Sequence, residues 1–352
     1  MVRACAVALS TAALWILGAH AAAALDMNSV NRAELKAGQA KALKGFDAVM
    51  VKAQVLLDRA RFSPGEIDGK DGENVRKAIA AFRSAQGQRP DGKLDPETWA
   101  KLTAHESEPA LIEYTVSAAD LKGPFVEKIP AKMEQMKDLK QLGYRTPLEA
   151  LSEKFHMSEA LLKTLNPGRA FNKIGETIVV ANVRSAGPNK VAKVEIDKPR
   201  KILRALGNDG ELIAVYPVTL GSAEKPAPSG VLQVTSIAHN PTYRYNPEYN
   251  FKGVKSREPF TINPGPNNPV GSVWINLSAK GYGIHGTPEP SKISKTASHG
   301  CIRLTNWDAV DLAGMVHKGM SIAFLEGEAD AMASASEGRF PVSTSRRSKK
   351  SR

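Results

Sequence analysis

Cysteine is nearly absent from this chain of 352 residues: there are two, Cys5 and Cys301. Two thiols are too few for a disulfide framework, and one cysteine with two nearby histidines makes a poor structural zinc set. Long apolar runs are as scarce. The one at residues 4–18 follows Arg3 and precedes small residues at 19–24. At about 15 residues it is short for a membrane span and fits a cleaved secretory signal over residues 1–24. No other stretch could cross a membrane. The mature chain is therefore expected to lack a transmembrane span and to work in the periplasm or cell wall. Aromatics make up only 6% of the sequence, and no nucleic-acid motif accompanies the net charge of +12, which argues against a nucleic-acid partner. Part of that charge sits in residues 346–352, which hold five basic side chains and no acid. Residues 327–352 read as a disordered basic tail, and the remaining excess suits an anionic polymer or membrane surface.

What is present divides into modules. Residues 41–103 read as short helices. Val49, Val51, Val55, Leu56 and Leu57 give one apolar face, and Val75, Ala78, Ile79 and Phe82 recur at helical spacing. Asp68-Gly69 and Pro90-Asp91-Gly92 are turns, and Asp95-Pro96-Glu97 starts a helix with a cap and a first-turn proline. Residues 111–183 read as strand, helix, helix, strand, with about 30 residues, 117–146, in place of a short connection. From Val191 the period becomes two. Strands are expected at 191–196, 202–206, 212–218, 231–237, 273–277 and 322–325, with Asn208-Asp209-Gly210 as a hairpin turn. The fold class is multidomain α+β, closing in a mostly-β sandwich over residues 190–326. Residues 238–271, rich in Asn, Pro and Tyr, form a long excursion read as a substrate-covering lid.

The chemistry concentrates around Cys301. If the leader is removed, it is the sole thiol of a chain in an oxidising compartment, so it pairs between molecules or serves as a nucleophile. A thiol needs a base, and two histidines are candidates. His299 lies two residues before Cys301. His285 lies on Tyr282-Gly283-Ile284-His285, which alternates like a strand. Glycines 286 and 300 allow close approach, and amides around Gly300 and Cys301 could serve an oxyanion. Thr305-x-x-Asp308 looks like a capping box for a helix over 307–316. A buried structural cysteine with structural histidines is the plainer reading of the same residues.

Three resemblances bear on these alternatives. Ile284-His285-Gly286-Thr287, followed further along by Ser298-His299-Gly300-Cys301-Ile302-Arg303-Leu304, resembles the signature of the L,D-transpeptidase catalytic domain, of the YkuD type. Pro228-Ser229-Gly230 and Pro264 to Gly271 match segments typical of it. The spacing of Leu56-Leu57, Asp68-Gly69, Ile79, Phe82, Asp91-Gly92 and Trp99 resembles a three-helix peptidoglycan-binding domain. Tyr114-Thr115-Val116 and Leu165-Asn166-Pro167-Gly168 resemble a LysM module, from which the 117–146 insertion departs.

The first resemblance implies Cys301 as nucleophile and His285 as general base, oriented by the Gly286 carbonyl. It makes His299 a supporting residue, Gly300 part of the oxyanion hole and Ser298 an organiser of the loop. Arg303 would bind a substrate carboxylate or brace the loop, and Tyr282 would contact substrate. No metal or cofactor is implied. The reaction is acyl transfer on peptidoglycan: the thiol attacks the third residue of a tetrapeptide stem, D-alanine leaves, and the thioester passes to an amine. A stem amine gives a 3→3 cross-link in cell-wall biogenesis and cell-shape maintenance; an envelope protein's lysine gives a tether. Water would make the enzyme an L,D-carboxypeptidase, and an idle domain would leave a wall-anchoring protein.

Overall fold

The computed structural model describes residues 25–36, 45–104, 106–184, 191–249, 253–298 and 300–327. The expected leader, residues 328–352 of the basic tail, linker residues 185–190 and His299 lie outside the described residues. Among the described residues no helix is long and apolar enough to cross a membrane.

The N-terminal part has four helices, α1 (Met27–Asn31), α2 (Ala48–Arg59), α3 (Glu73–Ala85) and α4 (Pro96–Thr103). The carboxylates of Asp47 and Asp95 cap α2 and α4 by accepting the Met50 and Thr98 amides, because the first amides of a helix have no partner within it. Every residue of α2 from Val51 to Asp58 is buried. The reason is that α2 is wedged between two cores. Val51 and Val55 pack with the middle module, while Ala53, Leu56 and Leu57 pack with α3, α4 and, from the C-terminal part, Ile202 and Val215. Its polar members find partners there: Gln54 bonds Asp68 and the Gly69 amide, and Lys52 pairs with Glu106.

The middle module is β1 (Leu111–Thr115), α5 (Met133–Met136), α6 (Pro147–Lys154), α7 (Glu159–Leu165) and β2 (Thr177–Ala181). Strands β1 and β2 pair antiparallel, Leu111 opposite Ala181. The 117–146 insertion is a strap across the C-terminal domain. The Leu142 amide donates to the Pro264 carbonyl at 2.8 Å, and the Asn267 amide donates to the Leu142 carbonyl at 2.9 Å. Asn263 reaches the Leu139 carbonyl, and Glu134 accepts the Lys255 amide at 2.5 Å. Gly265 allows this approach: a Cβ there would stand 2.1 Å from the Leu142 oxygen.

The C-terminal part holds β3 (Lys193–Asp197), β4 (Ile202–Leu206), β5 (Leu212–Pro217), β6 (Gly230–His239), β7 (Tyr243–Tyr245), β8 (Phe260–Ile262), β9 (Val273–Leu277), β10 (Gly283–His285), β11 (Ile302–Arg303), α8 (Asn306–Met315) and β12 (Ser321–Leu325). The Asn208-Asp209-Gly210 turn joins β4 to β5, with Gly210 at φ +80°. Eight strands form one sheet, in the order β11-β10-β9-β6-β12-β3-β4-β5. Side chains from both ends, Leu203 and Ala205 at one and Ile284 and Ile302 at the other, share a core with Ala309 and Leu312 of α8. The chain leaving β5 also reaches the far end, where Thr219 exchanges backbone hydrogen bonds with Arg303. The two facing layers are thus halves of one curled sheet. The lid region contains a small hairpin, β7 against β8.

The modules are locked together. Residues 61–63 extend the sheet at β5: the Ser63 amide donates to the Val215 carbonyl, and the Val215 amide to the Arg61 carbonyl, both at 2.8 Å. Beside this seam Arg184 lies buried among three carboxylates. It bonds Asp58 of α2, Asp308 of α8 at 2.6 Å and Asp311 of α8 at 3.1 Å. Arg61 and the Tyr216 hydroxyl also reach Asp311, and His156 of the middle module reaches Asp58 at 3.0 Å. Thr305 caps α8 by accepting the Asp308 amide, and the Asp308 carboxylate, which also interacts with the Thr305 side chain, carries the junction by reaching Arg184 and Ser63.

Candidate active site

Strands β10 and β11 run parallel, with Ile284 opposite Ile302 and His285 opposite Arg303. Cys301 stands immediately before β11, half-buried, and its thiol points to the Gly281 carbonyl at 3.7 Å. His285 ends β10 at 3% exposure. Its Nδ1 lies 2.7 Å from the Gly286 carbonyl. A carbonyl only accepts, so Nδ1 carries the hydrogen and the Nε2 lone pair stays available. Trp274 stacks on the imidazole at 5.4 Å, and the Leu304 amide binds the His285 carbonyl at 2.8 Å. The ring is therefore held on its face, at one nitrogen and through its backbone.

Burial sets the protonation states. It lowers His285 to about 3, helped by the nearby Arg303 charge and opposed by the Gly286 hydrogen bond. Burial also raises the Cys301 thiol above its ordinary value, against the Gly283 amide and the charges of Arg303 and Lys225. At neutral pH both groups are uncharged: a thiol just before β11 and an imidazole at the end of the neighbouring β10.

The other expected residues fall around this pair. The Ser298 hydroxyl donates to the Cys301 carbonyl at 2.5 Å, and the Ser298 amide bonds the Leu220 carbonyl, which pins the loop at both ends. Gly300 has φ +104°, and a Cβ there would meet the Tyr282 ring at 2.8 Å. Tyr282 spends its hydroxyl on the Pro226 carbonyl at 3.4 Å, so its position is that of a brace behind Gly300. Arg303 has its backbone fixed by Thr219, and its guanidinium feels Cys301, Glu289 and Tyr243. Tyr243 belongs to β7, which puts the lid hairpin beside the site; Tyr245 instead stacks on Phe260 and is buried. His299 lies outside the described residues. Among the described residues no group of three or more His, Cys, Asp or Glu could hold a metal.

Sequence reasoning missed Trp274, Gly283 and Asn306. The alternating pattern of β9 identified Trp274 only as a strand residue. The Gly283 amide owes its contact with the sulfur to the β10–β11 pairing, which sets Ile284 against Ile302 across a long loop. Asn306 follows the capping Thr305, with no local sign of its long-range bonds.

The L,D-transpeptidase catalytic domain matches residues 192–323, and the peptidoglycan binding domain matches residues 48–102. A Bacillus licheniformis protein named as an L,D-transpeptidase, YkuD, is 28% identical over 179 residues, covering 50% of this chain and 92% of its own. An Escherichia coli K12 protein named as an L,D-transpeptidase, YbiS, is 26% identical over 216 residues, covering 57% and 69%. Among solved structures, an L,D-transpeptidase from Mycobacterium smegmatis is 19% identical with a TM-score of 0.31, covering 44% of this chain and 65% of its own. The catalytic domain of an Enterococcus faecium L,D-transpeptidase acylated by ertapenem is 23% identical with a TM-score of 0.31, covering 40% and 100%.

Proposed function

Because residues 192–323 are an L,D-transpeptidase catalytic domain and residues 48–102 a peptidoglycan-binding domain, we propose that this chain is exported and transfers peptidoglycan stem peptides through a thioester on Cys301. The observation that carries the reading is the Gly286 carbonyl on His285 Nδ1, which leaves Nε2 as the base. As sulfur attacks the carbonyl of the third stem residue, Nε2 takes the thiol proton. The imidazolium then gives that proton to the departing D-alanine amine, and the thioester forms. Amides at Gly300 and Cys301 receive the oxyanion of the tetrahedral intermediate. An incoming amine attacks the thioester, His285 removes its proton, and the proton returns to sulfur as the new amide forms. Arg303 binds a substrate carboxylate or braces the loop. The acceptor is a second stem, giving a 3→3 cross-link, or a lysine of an envelope protein. The N-terminal module raises the local concentration of an insoluble polymer.

The test is mass spectrometry of muropeptides after incubation of the mature protein, or its Cys301→Ala variant, with disaccharide-tetrapeptide. A 3→3 dimer formed only by the intact thiol is expected. Tripeptide without dimer would make the enzyme a carboxypeptidase, or one that needs the protein acceptor. No product would leave the wall-anchoring reading.

A further inference from the structure

The middle module contributes a side chain that ends one residue away from the proposed base. Glu153, on α6, accepts the Asn306 Nδ2 hydrogens at 2.6 Å and 3.2 Å. Asn306 is the first residue of α8 and is buried, its exposure being 3%. Its Nδ2 also donates to the Pro266 carbonyl at 3.1 Å, and its Oδ1 accepts the Ser272 amide at 3.1 Å. The carboxamide is thus bonded on both sides and cannot rotate. Its oxygen presses on two glycines: a Cβ built on Gly271 would stand 2.0 Å from Oδ1, and one on Gly286 2.2 Å from it. The same probe on Gly271 would stand 2.6 Å from the Gly286 carbonyl carbon. The 286 peptide is therefore packed between Gly271 and Asn306, and its carbonyl is the acceptor that orients His285.

A second carboxylate of the same helix reinforces the contact. Glu149, one turn before Glu153, accepts Asn267 Nδ2 at 3.1 Å, and Asn267 also donates to the Gly143 carbonyl at 2.9 Å. Helix α6 thereby grips both the base of the lid and the start of α8. Glu149 also accepts the backbone amide and guanidinium of Arg145, and Glu153 the Tyr144 hydroxyl at 3.2 Å; beyond these bonds within its own module, each carboxylate reaches one asparagine of the neighbouring domain.

We infer that Glu153 and Asn306 are positioning residues for His285, acting through the Gly286 peptide, so that the middle module is a working part of the transferase site. The inference rests on the reading of His285 as the base. Its effect belongs in the chemical step, since an imidazole displaced by a fraction of an ångström still leaves the substrate surfaces in place.

The experiment compares Glu153→Ala, Glu153→Gln and Asn306→Ala with the parent protein, full chain, on disaccharide-tetrapeptide. For both alanine variants kcat is expected to fall about 10- to 100-fold with KM within about twofold. A glutamine side chain can still accept from Asn306 through its amide oxygen, so Glu153→Gln is expected to keep kcat within about threefold. An independent readout is the 15N chemical shift of His285, which reports which ring nitrogen holds the hydrogen. The parent should be fixed in the Nδ1–H form and the alanine variants should populate the other tautomer. Folded alanine variants with parental kcat and an unchanged His285 spectrum would overturn the proposal. So would a glutamine variant as impaired as the alanine. If Asn306→Ala does not fold, the two Glu153 variants decide. If the parent turns over no muropeptide, the proposed function fails, and the tautomer shift still decides whether the pair positions the ring.

Discussion

At the residue scale, burial governs His285 and Cys301, and the sign of the effect can be worked out. On the proposed reading His285 must be neutral to act as the base. His285, held to about 3 by burial and by Arg303, stays neutral across the range where an exposed histidine would charge. The thiol, raised by burial, becomes thiolate only at alkaline pH. We therefore expect kcat/KM to be flat from about pH 5 to 8, with its acid limb near 3 to 4. Iodoacetamide inactivation should accelerate above about pH 9. A pH–rate profile with an acid limb near 6.5 would contradict this and point to an exposed base. The identity of this pair was legible in the sequence, because His285-Gly286 and the segment from Ser298 to Arg303 are local patterns. Its protonation was not legible, because it depends on Trp274 and Arg303 closing over the ring from other strands.

At the scale of elements, the parts with local instructions were legible and those that answer to distant partners were not. Asn208-Asp209-Gly210 forces a hairpin by itself, and Asp95-Pro96 starts a helix by itself. The β7–β8 hairpin has no such signal: β7 and β8 are three residues each and lie 14 residues apart, too far for one tight turn to pair them. Asp308 read as the partner of the Thr305 cap, and its amide is bound by that cap, yet its carboxylate also reaches Arg184, 124 residues away. That buried arginine gives a test of element docking. Arg184→Ala leaves Asp58, Asp308 and Asp311 in the interior without their shared cation, although Arg61 still serves Asp311. Removing one partner from such a cluster costs about 3–5 kcal/mol. Urea denaturation should show a loss of this size, and a loss under about 1 kcal/mol would mean that water already reaches the junction.

At the scale of the whole molecule, the three modules are one folding unit. Helix α2 contributes to the middle core with Val51 and Val55 and to the outer face of the catalytic sheet with Leu56 and Leu57. Shared cores couple unfolding free energies, so the full chain should melt in a single calorimetric transition with matching calorimetric and van't Hoff enthalpies. Two resolved transitions would show the modules to be independent. The sequence divides into modules without disclosing their coupling, since nothing in Arg61-Phe62-Ser63 says that it will lie beside Val215. That short pairing has a further consequence. An eight-stranded sheet ends in strands whose amides and carbonyls can recruit the next molecule as readily as their own. Here Arg61 and Ser63 occupy the outer side of β5 at Val215, and Thr219 occupies the outer side of β11 at Arg303. Where they sit, neither border of the sheet is open to a second copy of the chain, so the contact that fixes the N-terminal module also guards the protein against edge-to-edge aggregation.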